Sequence, residues 1–386
     1  MKVRKKLCGV LVVFLFWQIF FMQQQVEAAN GFPDVSAEAA ALIDVASGRI
    51  LYSKNGTKKM RIASLTKTMT AIVAIESGRL SDVVTVPKEA VGVEGSSIYL
   101  KQGEKLTLEE LLYGLMLRSG NDAAVAVAHH VGGSVPGFVY LMNEKAALIG
   151  MTHTNFTNPH GLDDSNMHYS TAEDMAKLSA YALRNPIFRQ IVSTKVKTIS
   201  WEGEKWDRRL QNKNKLLHLY NGADGVKTGY TKLAKRCLAS SATRDGRQLA
   251  AITLNAPDDW NDSMKLLDWG FEHFAVSKVV AKGQTIQANV AAEDPSLRLV
   301  TINEFAYPLQ NGEAEQIRTK VELLQPSVTK RMIGSHVGFL QVYLGDRLIG
   351  RVPLTVQDTS PAWTPGRTRT FWDHVWEIMA GGMWGA

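Results

Sequence analysis

The stretch Arg61-Ile62-Ala63-Ser64-Leu65-Thr66-Lys67-Thr68-Met69-Thr70-Ala71-Ile72-Val73-Ala74-Ile75-Glu76 decides how this chain is read. Leu65, Met69, Ile72 and Val73 recur at helical spacing, so a helix is expected from Ser64, with Gly78 as its stop. A serine and a lysine three residues apart on a helix have Cβ atoms about 5–6 Å from one another, within side-chain reach. A serine hydroxyl is a poor nucleophile until a base takes its proton, and Lys67 is such a base only when neutral. Ser64 in the first turn also has a backbone N–H without a helical partner, suited to a developing oxyanion.

Working outward, residues 36–55 predict a hairpin: Ala41, Leu42, Ile43 and Val45 lead into Ser47-Gly48 and on to Ile50-Leu51-Tyr52. On the other side, Thr107 and Glu110 form a capping-box pattern for a helix to Leu117, which runs into Arg118-Ser119-Gly120-Asn121. Residues 122–131 and 136–150 are again helical, and Ser170-Thr171-Ala172-Glu173 opens another helix. The period then changes. Residues 225–231, 236–243 and 248–255 alternate as strands, with Asp245-Gly246 as a hairpin turn, before helical residues 262–274. Strands, helices, strands, helix in that order predict an α+β domain on one antiparallel sheet.

Two further motifs follow the first. Ser119-Gly120-Asn121 follows a helix end and supplies a second hydroxyl for proton relay and an amide for a substrate peptide, or else is a polar loop cap. Lys227-Thr228-Gly229 lies on a strand, where Gly229 leaves room for an extended peptide to pair and Thr228 reaches a carboxylate; alone it is an ordinary exposed strand. Burial of Lys67 near a second cation, Lys227, lowers its pKa towards neutrality, which explains why one site holds two lysines.

These three motifs, in this order, resemble the set shared by penicillin-binding proteins and class A β-lactamases. The chain is most similar to the low-molecular-mass penicillin-binding proteins, serine D-alanyl-D-alanine carboxypeptidases with the serine β-lactamase fold, over roughly residues 35–278. Asn158-Pro159-His160-Gly161-Leu162 and His168-Tyr169-Ser170-Thr171-Ala172 look like that family's middle segment. The resemblance implies Ser64, Lys67 and Ser119 as catalytic residues and Asn121, Lys227, Thr228, Gly229 and Tyr230 as substrate-binding, Tyr230 donating the second oxyanion N–H. It implies peptidoglycan stem peptides ending in D-Ala-D-Ala as substrate, β-lactams as covalent inhibitors, and no cofactor or metal. Residues 118–127, 132–134 and 229–236 look most like the sporulation-associated member of endospore-forming bacteria, which trims spore-cortex peptidoglycan. One departure concerns an arginine that relatives often carry before a Trp-Gly-Phe segment to bind the terminal carboxylate: residues 255–263 contain none. Thr228, Lys232 and Arg236 stand in by type.

The ends of the 386-residue chain carry other signals. Lys2, Arg4, Lys5 and Lys6, an apolar run from Leu7 to Met22 and a close at Val26-Glu27-Ala28 predict an export signal over residues 1–28. Its loss removes four basic side chains and Glu27, lowering the net charge of +7 by three, too mild a surplus to suggest nucleic acid. Cys237 is then the lone cysteine, so no internal disulfide is possible. The expected catalytic domain spans 29–278 and a β-rich domain 279–362, with strands in 297–306, 317–324 and 337–356, the last broken by Gly345-Asp346. In the tail, 363–386, Phe371, Trp372, Val375, Trp376 and Met379 share one helical arc opposite Asp373, His374 and Glu377, predicting an amphipathic helix on the outer face of the cytoplasmic membrane. The expected place of work is therefore the membrane's outer face or the wall space, the forespore intermembrane space included.

The nine histidines form no His-Glu-x-x-His, and His129 and His130 point to different sides of a helix, which disfavours a metal. His160 reads as a loop residue and Cys237 as a small buried hydrophobe. Three rivals remain: a general vegetative wall carboxypeptidase or endopeptidase, a β-lactamase, and a wall-binding scaffold. Residues 150–170 lack the glutamate that a class A β-lactamase needs for deacylation.

Overall fold

Strands β1 (Ala39–Asp44) and β2 (Ile50–Lys54) pair antiparallel as the expected hairpin, with Leu42 opposite Tyr52. In this computed structural model, residues 31–77, 79–287 and 291–360 are described. The expected leader, the helix stop at Gly78 and the expected amphipathic helix in the tail lie outside the described residues. The chain divides into two compact units between Ala275 and Val276.

The first unit is built on one antiparallel sheet. Besides β1 and β2 it contains β7 (Ala223–Thr231), β8 (Lys235–Arg244) and β9 (Arg247–Leu254), in the order β2-β1-β9-β8-β7. Side chains alternate across it. Ala39, Ala41 and Ile43 of β1 join the helical core on one face, while Ala40 and Leu42 join Leu266, Leu267 and Trp269 on the other. With both faces covered, β1 is apolar from Ala39 to Ile43 with no polar alternation.

The helical side comprises α1 (Lys67–Glu76), α2 (Leu108–Leu117), α3 (Asn121–Gly132), α4 (Val135–Leu148), α5 (Ala172–Leu183) and α6 (Pro186–Ser193). The capping box exists as expected: Glu110 N–H donates to Thr107 Oγ1 at 3.2 Å and Thr107 N–H donates to Glu110 Oε2 at 2.8 Å. Thr171 caps α5 by accepting from the Asp174 N–H at 3.1 Å. On the opposite face, α8 (Asp259–His273) begins three residues before the expected 262, because Asp259 and Asp262 both fall in its first turn. The short α7 (Leu216–Leu219) precedes β7.

Two small antiparallel pairs were not foreseen: β3 (Val83–Thr85) with β4 (Lys105–Thr107), and β5 (Val196–Ile199) with β6 (Arg208–Gln211). Runs of three or four residues with exposed members carry too little periodicity to announce themselves.

The second unit centres on another five-stranded antiparallel sheet. Its strands are β11 (Thr285–Ile286), β13 (Leu297–Thr301), β15 (Ile317–Leu323), β17 (His336–Leu344) and β18 (Arg347–Asp358), in the order β11-β13-β18-β17-β15. Gly345 and Asp346 turn the β17–β18 hairpin, as expected. Residues 297–306, expected as one strand, divide between β13 and β14 (Phe305–Leu309), the latter pairing with β10 (Ala275–Val280), while β12 (Ala291–Ala292) pairs with β16 (Ser327–Val328). Leu340, Val342, Val352 and Leu354 fill its core.

Candidate active site

Ser64 lies outside any α-helix. It sits in a 3₁₀ turn, Ala63–Thr66, and α1 starts only at Lys67, which corrects the expected helix start. The cause is Ala63, whose φ of +47° breaks the helical path just before the serine. The turn is held from behind by the segment 158–168. His168 Nδ1 accepts the Thr157 N–H at 3.1 Å, so its proton is on Nε2 and is donated to Thr66 Oγ1 at 2.8 Å. Thr66 Oγ1 in turn donates to the Ala63 carbonyl at 2.9 Å. Burial above all brings the His168 pKa down to about 4, with Asp163 opposing and the charges of Arg61 and Lys67 assisting, so this relay stays neutral. Gly161 has φ +86°, and a Cβ there would run into the Ala63 carbonyl; only glycine lets the segment approach the turn so closely.

Lys67 is fully buried. Its Nζ lies 3.1 Å from Ser64 Oγ, 2.6 Å from Asn121 Oδ1 and 2.7 Å from the His160 carbonyl oxygen. The Asn121 amide is oriented without ambiguity, because its Nδ2 faces the Glu94 carbonyl at 2.5 Å and a carbonyl only accepts. Two of the three neighbours of Nζ are thus obligate acceptors. A neutral amine has two N–H bonds for them and one lone pair left, directed at the Ser64 hydroxyl. Burial above all, then the charges of Lys227 and Lys213, holds Lys67 well below the usual lysine range, with Asp122 opposing. Asn121, expected to bind the substrate peptide, spends its oxygen on Lys67 and one amide hydrogen on Glu94, which leaves one hydrogen for a substrate. Ser119 is buried two residues earlier, in a left-handed turn with φ +63° between α2 and α3.

The other wall is β7, the edge strand of the sheet. Lys227 is buried, its Nζ donates to the Thr228 carbonyl at 2.8 Å, and burial followed by the charge of Lys213 lowers its pKa to about 7. A Cβ on Gly229 would stand 3.2 Å from Ser64 N and 3.2 Å from Ala63 Cβ. The missing side chain thus gives the nucleophile turn its clearance, a use of Gly229 that the sequence did not suggest. Thr228 is half-buried and Tyr230 exposed.

Of the expected stand-ins for a carboxylate-binding arginine, Arg236 is committed to Asp259, at 3.0 Å from Nε and 2.5 Å from Nη2, and packs over Trp260. Lys232 is exposed. The cation that acts on both buried lysines is Lys213, which sequence reasoning missed. It stands at the open edge of the site with Nζ donating to Ser96 Oγ at 2.9 Å. Asn214, donating to the Gly225 carbonyl at 2.8 Å, ties this stretch to β7, so the run Asn212-Lys213-Asn214 just before that strand was the available signal. The His160 carbonyl was also missed. Being backbone, it leaves no mark in a sequence.

Residues 23–258 match the family described as D-alanyl-D-alanine carboxypeptidase, and residues 274–361 match the penicillin-binding protein 5, C-terminal domain. The chain is 33% identical over 389 residues to D-alanyl-D-alanine carboxypeptidase DacC of Escherichia coli, covering 96% of this chain and 94% of that protein. It is 36% identical over 260 residues to D-alanyl-D-alanine carboxypeptidase DacF of Bacillus subtilis, covering 65% and 66%. Among solved structures, penicillin binding protein 5 from Haemophilus influenzae superposes with a TM-score of 0.70 at 31% identity, over 85% of this chain and 98% of that one.

Proposed function

The chain belongs to the D-alanyl-D-alanine carboxypeptidase family and is a serine-type enzyme of the penicillin-binding protein kind, and from that premise we propose how its residues divide the work. Ser64 Oγ attacks the carbonyl of the penultimate D-alanine of a stem peptide, and Lys67 Nζ takes the hydroxyl proton. The observation that carries this is the place of Lys67 Nζ, 3.1 Å from Ser64 Oγ with Asn121 Oδ1 and the His160 carbonyl as its other neighbours, in which a neutral amine donates to the two obligate acceptors and turns its lone pair to the hydroxyl. The N–H groups of Ser64 and Tyr230 bind the oxyanion. The proton passes by way of Ser119 to the amine of the terminal D-alanine, which leaves, and water then hydrolyses the Ser64 ester. Lys227 and Thr228 line the strand side, and Lys213 at the open edge takes the terminal carboxylate that Arg236, held by Asp259, is not free to take.

Acidic side chains of the segment behind the nucleophile are already engaged. Residues 150–170 contain no glutamate for a deacylating water, and the acidic side chains nearest the nucleophile segment, Asp163 and Asp164, bond to Arg61 at 3.3 Å and Asn158 at 2.7 Å, which counts against the β-lactamase reading. The test uses the purified protein with diacetyl-Lys-D-Ala-D-Ala and with labelled penicillin. D-Alanine should be released and penicillin should remain as a slowly hydrolysed adduct. Rapid penicillin turnover would favour a β-lactamase, and neither reaction a scaffold.

The setting is also a proposal. Residues 1–28 direct export, and the tail, 363–386, holds the enzyme on the outer face of the cytoplasmic membrane through Phe371, Trp372, Val375, Trp376 and Met379. Burial of such side chains is worth roughly 1.5–3 kcal/mol each before ordering costs. Protein carrying the tail should sediment with liposomes and protein ending at Pro361 should not; equal partitioning would remove the anchor. Likeness of residues 118–127 and 229–236 to the sporulation-associated member supports action on spore-cortex peptidoglycan. A general wall carboxypeptidase or endopeptidase is the second reading. Muropeptide profiles of cortex and vegetative wall from a strain lacking the protein decide between them.

A further inference from the structure

We propose that Asp163 and Lys232 form a specificity subsite for the residue that precedes the two D-alanines of the stem. The side chain it fits ends in both an amino and a carboxylate group, as in a 2,6-diamino diacid. The inference deepens the reading of Ser64 as nucleophile and of Lys213 as partner of the terminal carboxylate, and rests on it.

Strand β7 fixes which flank is which. Asn214 donates to the Gly225 carbonyl, so its neighbour Lys213 stands by the start of the strand. Gly229 lies against Ser64. Beyond the end of the strand, in the turn to β8, the Leu233 N–H donates to Asp163 Oδ2 at 3.4 Å. Lys213, Ser64 and Asp163 therefore follow one another along β7, at Gly225, Gly229 and Leu233. With the terminal carboxylate at Lys213 and the scissile carbonyl at the N–H groups of Ser64 and Tyr230, the rest of the stem continues towards Thr231 and the turn, on the side of Asp163. β7 is an edge strand, and a stem laid along it in this sense is antiparallel to it.

The reach suits the residue before the D-alanines. Its Cα lies about 5 Å from the scissile carbonyl, and a lysine-length side chain adds about 6 Å. Asp163 is two residues from Gly161, which packs on the Ala63 carbonyl beside Ser64, so at about 3.8 Å per Cα step the Asp163 Cα is within about 14 Å of that of Ser64. Its carboxylate bonds at the turn that closes this flank. Lys232 immediately precedes Leu233, which puts its Cα within about 6 Å of Asp163 Oδ2.

Charge decides what the side chain must carry. Asp163 Oδ1 pairs with Arg61 at 3.3 Å, but that guanidinium also donates to the Ser165 carbonyl at 3.3 Å and to Asn166 Oδ1 at 2.6 Å. Asp163 Oδ2 meets one long backbone contact among the described residues, which leaves lone pairs for an ammonium group. Lys232 is exposed, with no partner among the described residues. An amine alone would meet Asp163 between two cations, Arg61 and Lys232. An end that also bears a carboxylate finds a partner for each of its charges. Tyr230 and Leu233, 66% and 61% exposed, offer apolar surface at the same turn for the methylenes in between.

The test measures D-alanine release by the full chain from three peptides, Nα-acetyl-X-D-Ala-D-Ala, with X as 2,6-diaminopimelate, lysine or Nε-acetyl-lysine. The parent should favour diaminopimelate over Nε-acetyl-lysine by about tenfold in kcat/KM, through KM, the scale of two partly exposed ion pairs. Lys232→Gln should erase the advantage of diaminopimelate over lysine. Asp163→Asn should cut its advantage over Nε-acetyl-lysine to about twofold. Lys232→Gln alters only an exposed turn residue, so it decides the matter where Asp163→Asn, which strips Arg61 of its carboxylate partner, fails to fold. Equal kcat/KM for the three peptides in the parent, or an equal proportional loss on all three in Lys232→Gln, overturns the subsite and leaves the carboxypeptidase reading intact. Lys213→Gln should weaken all three alike, since they share the terminal carboxylate; no loss there overturns the orientation and the subsite with it. Failure of the parent to release D-alanine from any of the three overturns the Ser64 reading beneath both.

Discussion

Ser64→Ala should reduce D-alanine release to background, a loss on the order of 10⁶-fold by analogy with removal of other activated serines, and should abolish penicillin labelling in parallel. Both losses follow from one missing atom, because the ester in each case forms on Oγ. The fold should be little affected. Ser64 is half-buried, and the bond its hydroxyl makes to Lys67 Nζ is worth on the order of 1 kcal/mol. A melting temperature close to that of the parent, together with absent labelling, separates loss of chemistry from loss of structure. Retained labelling in Ser64→Ala would place the nucleophile elsewhere.

Lys67→Ala should slow acylation by roughly 100- to 10,000-fold, the usual cost of a lost general base. The pH profile gives the stronger signature. A lysine at its ordinary pKa of about 10.4 would be neutral in only about one molecule in a thousand at pH 7.4. Burial and the charges of Lys227 and Lys213 hold Lys67 well below that range. For a base whose pKa is depressed, acylation falls as pH drops through the depressed value and is already on its plateau below the ordinary lysine range. In the parent, the acylation rate should therefore stop rising at a pH well under 10, and Lys67→Ala should lose that limb. A profile that climbs steadily to pH 10 would show Lys67 charged at neutral pH. Removing the side chain also leaves Asn121 Oδ1 and the His160 carbonyl without their shared donor, so the melting temperature of this variant should fall, and its rate should be read at a temperature where it is folded.

How much of this was legible from residues alone depends on where the information lies. Patterns local in sequence translate directly. The hairpin at Ser47-Gly48, the Thr107–Glu110 capping box and the β17–β18 turn at Gly345-Asp346 are set by neighbouring residues, and the structure has them where expected. The α+β catalytic fold and the β-rich second unit follow from the order of such patterns. The start of α1 was misplaced because Ala63, an ordinary helix former, is forced to φ +47° by Thr66, His168 and Gly161, two of them about a hundred positions away. Tertiary context overrides propensity there. Ser64, Lys67 and Asn121 meet as their motifs imply, while the bonds of Asn121 to Lys67 and to the Glu94 carbonyl were not foreseen, since a motif names a residue type and not which of its atoms is already taken. Lys213 belongs to no motif and enters only because Asn214 fastens its stretch to Gly225. The His160 carbonyl is visible only in three dimensions.

The central claim is that the Ser64 hydroxyl, with a neutral Lys67 at 3.1 Å, carries the acyl group. Peptide mass spectrometry of the penicillin-treated protein tests it most directly. The account predicts a single penicilloyl adduct on the peptide that contains Ser64; an adduct on Ser119, or on any peptide without Ser64, would contradict it.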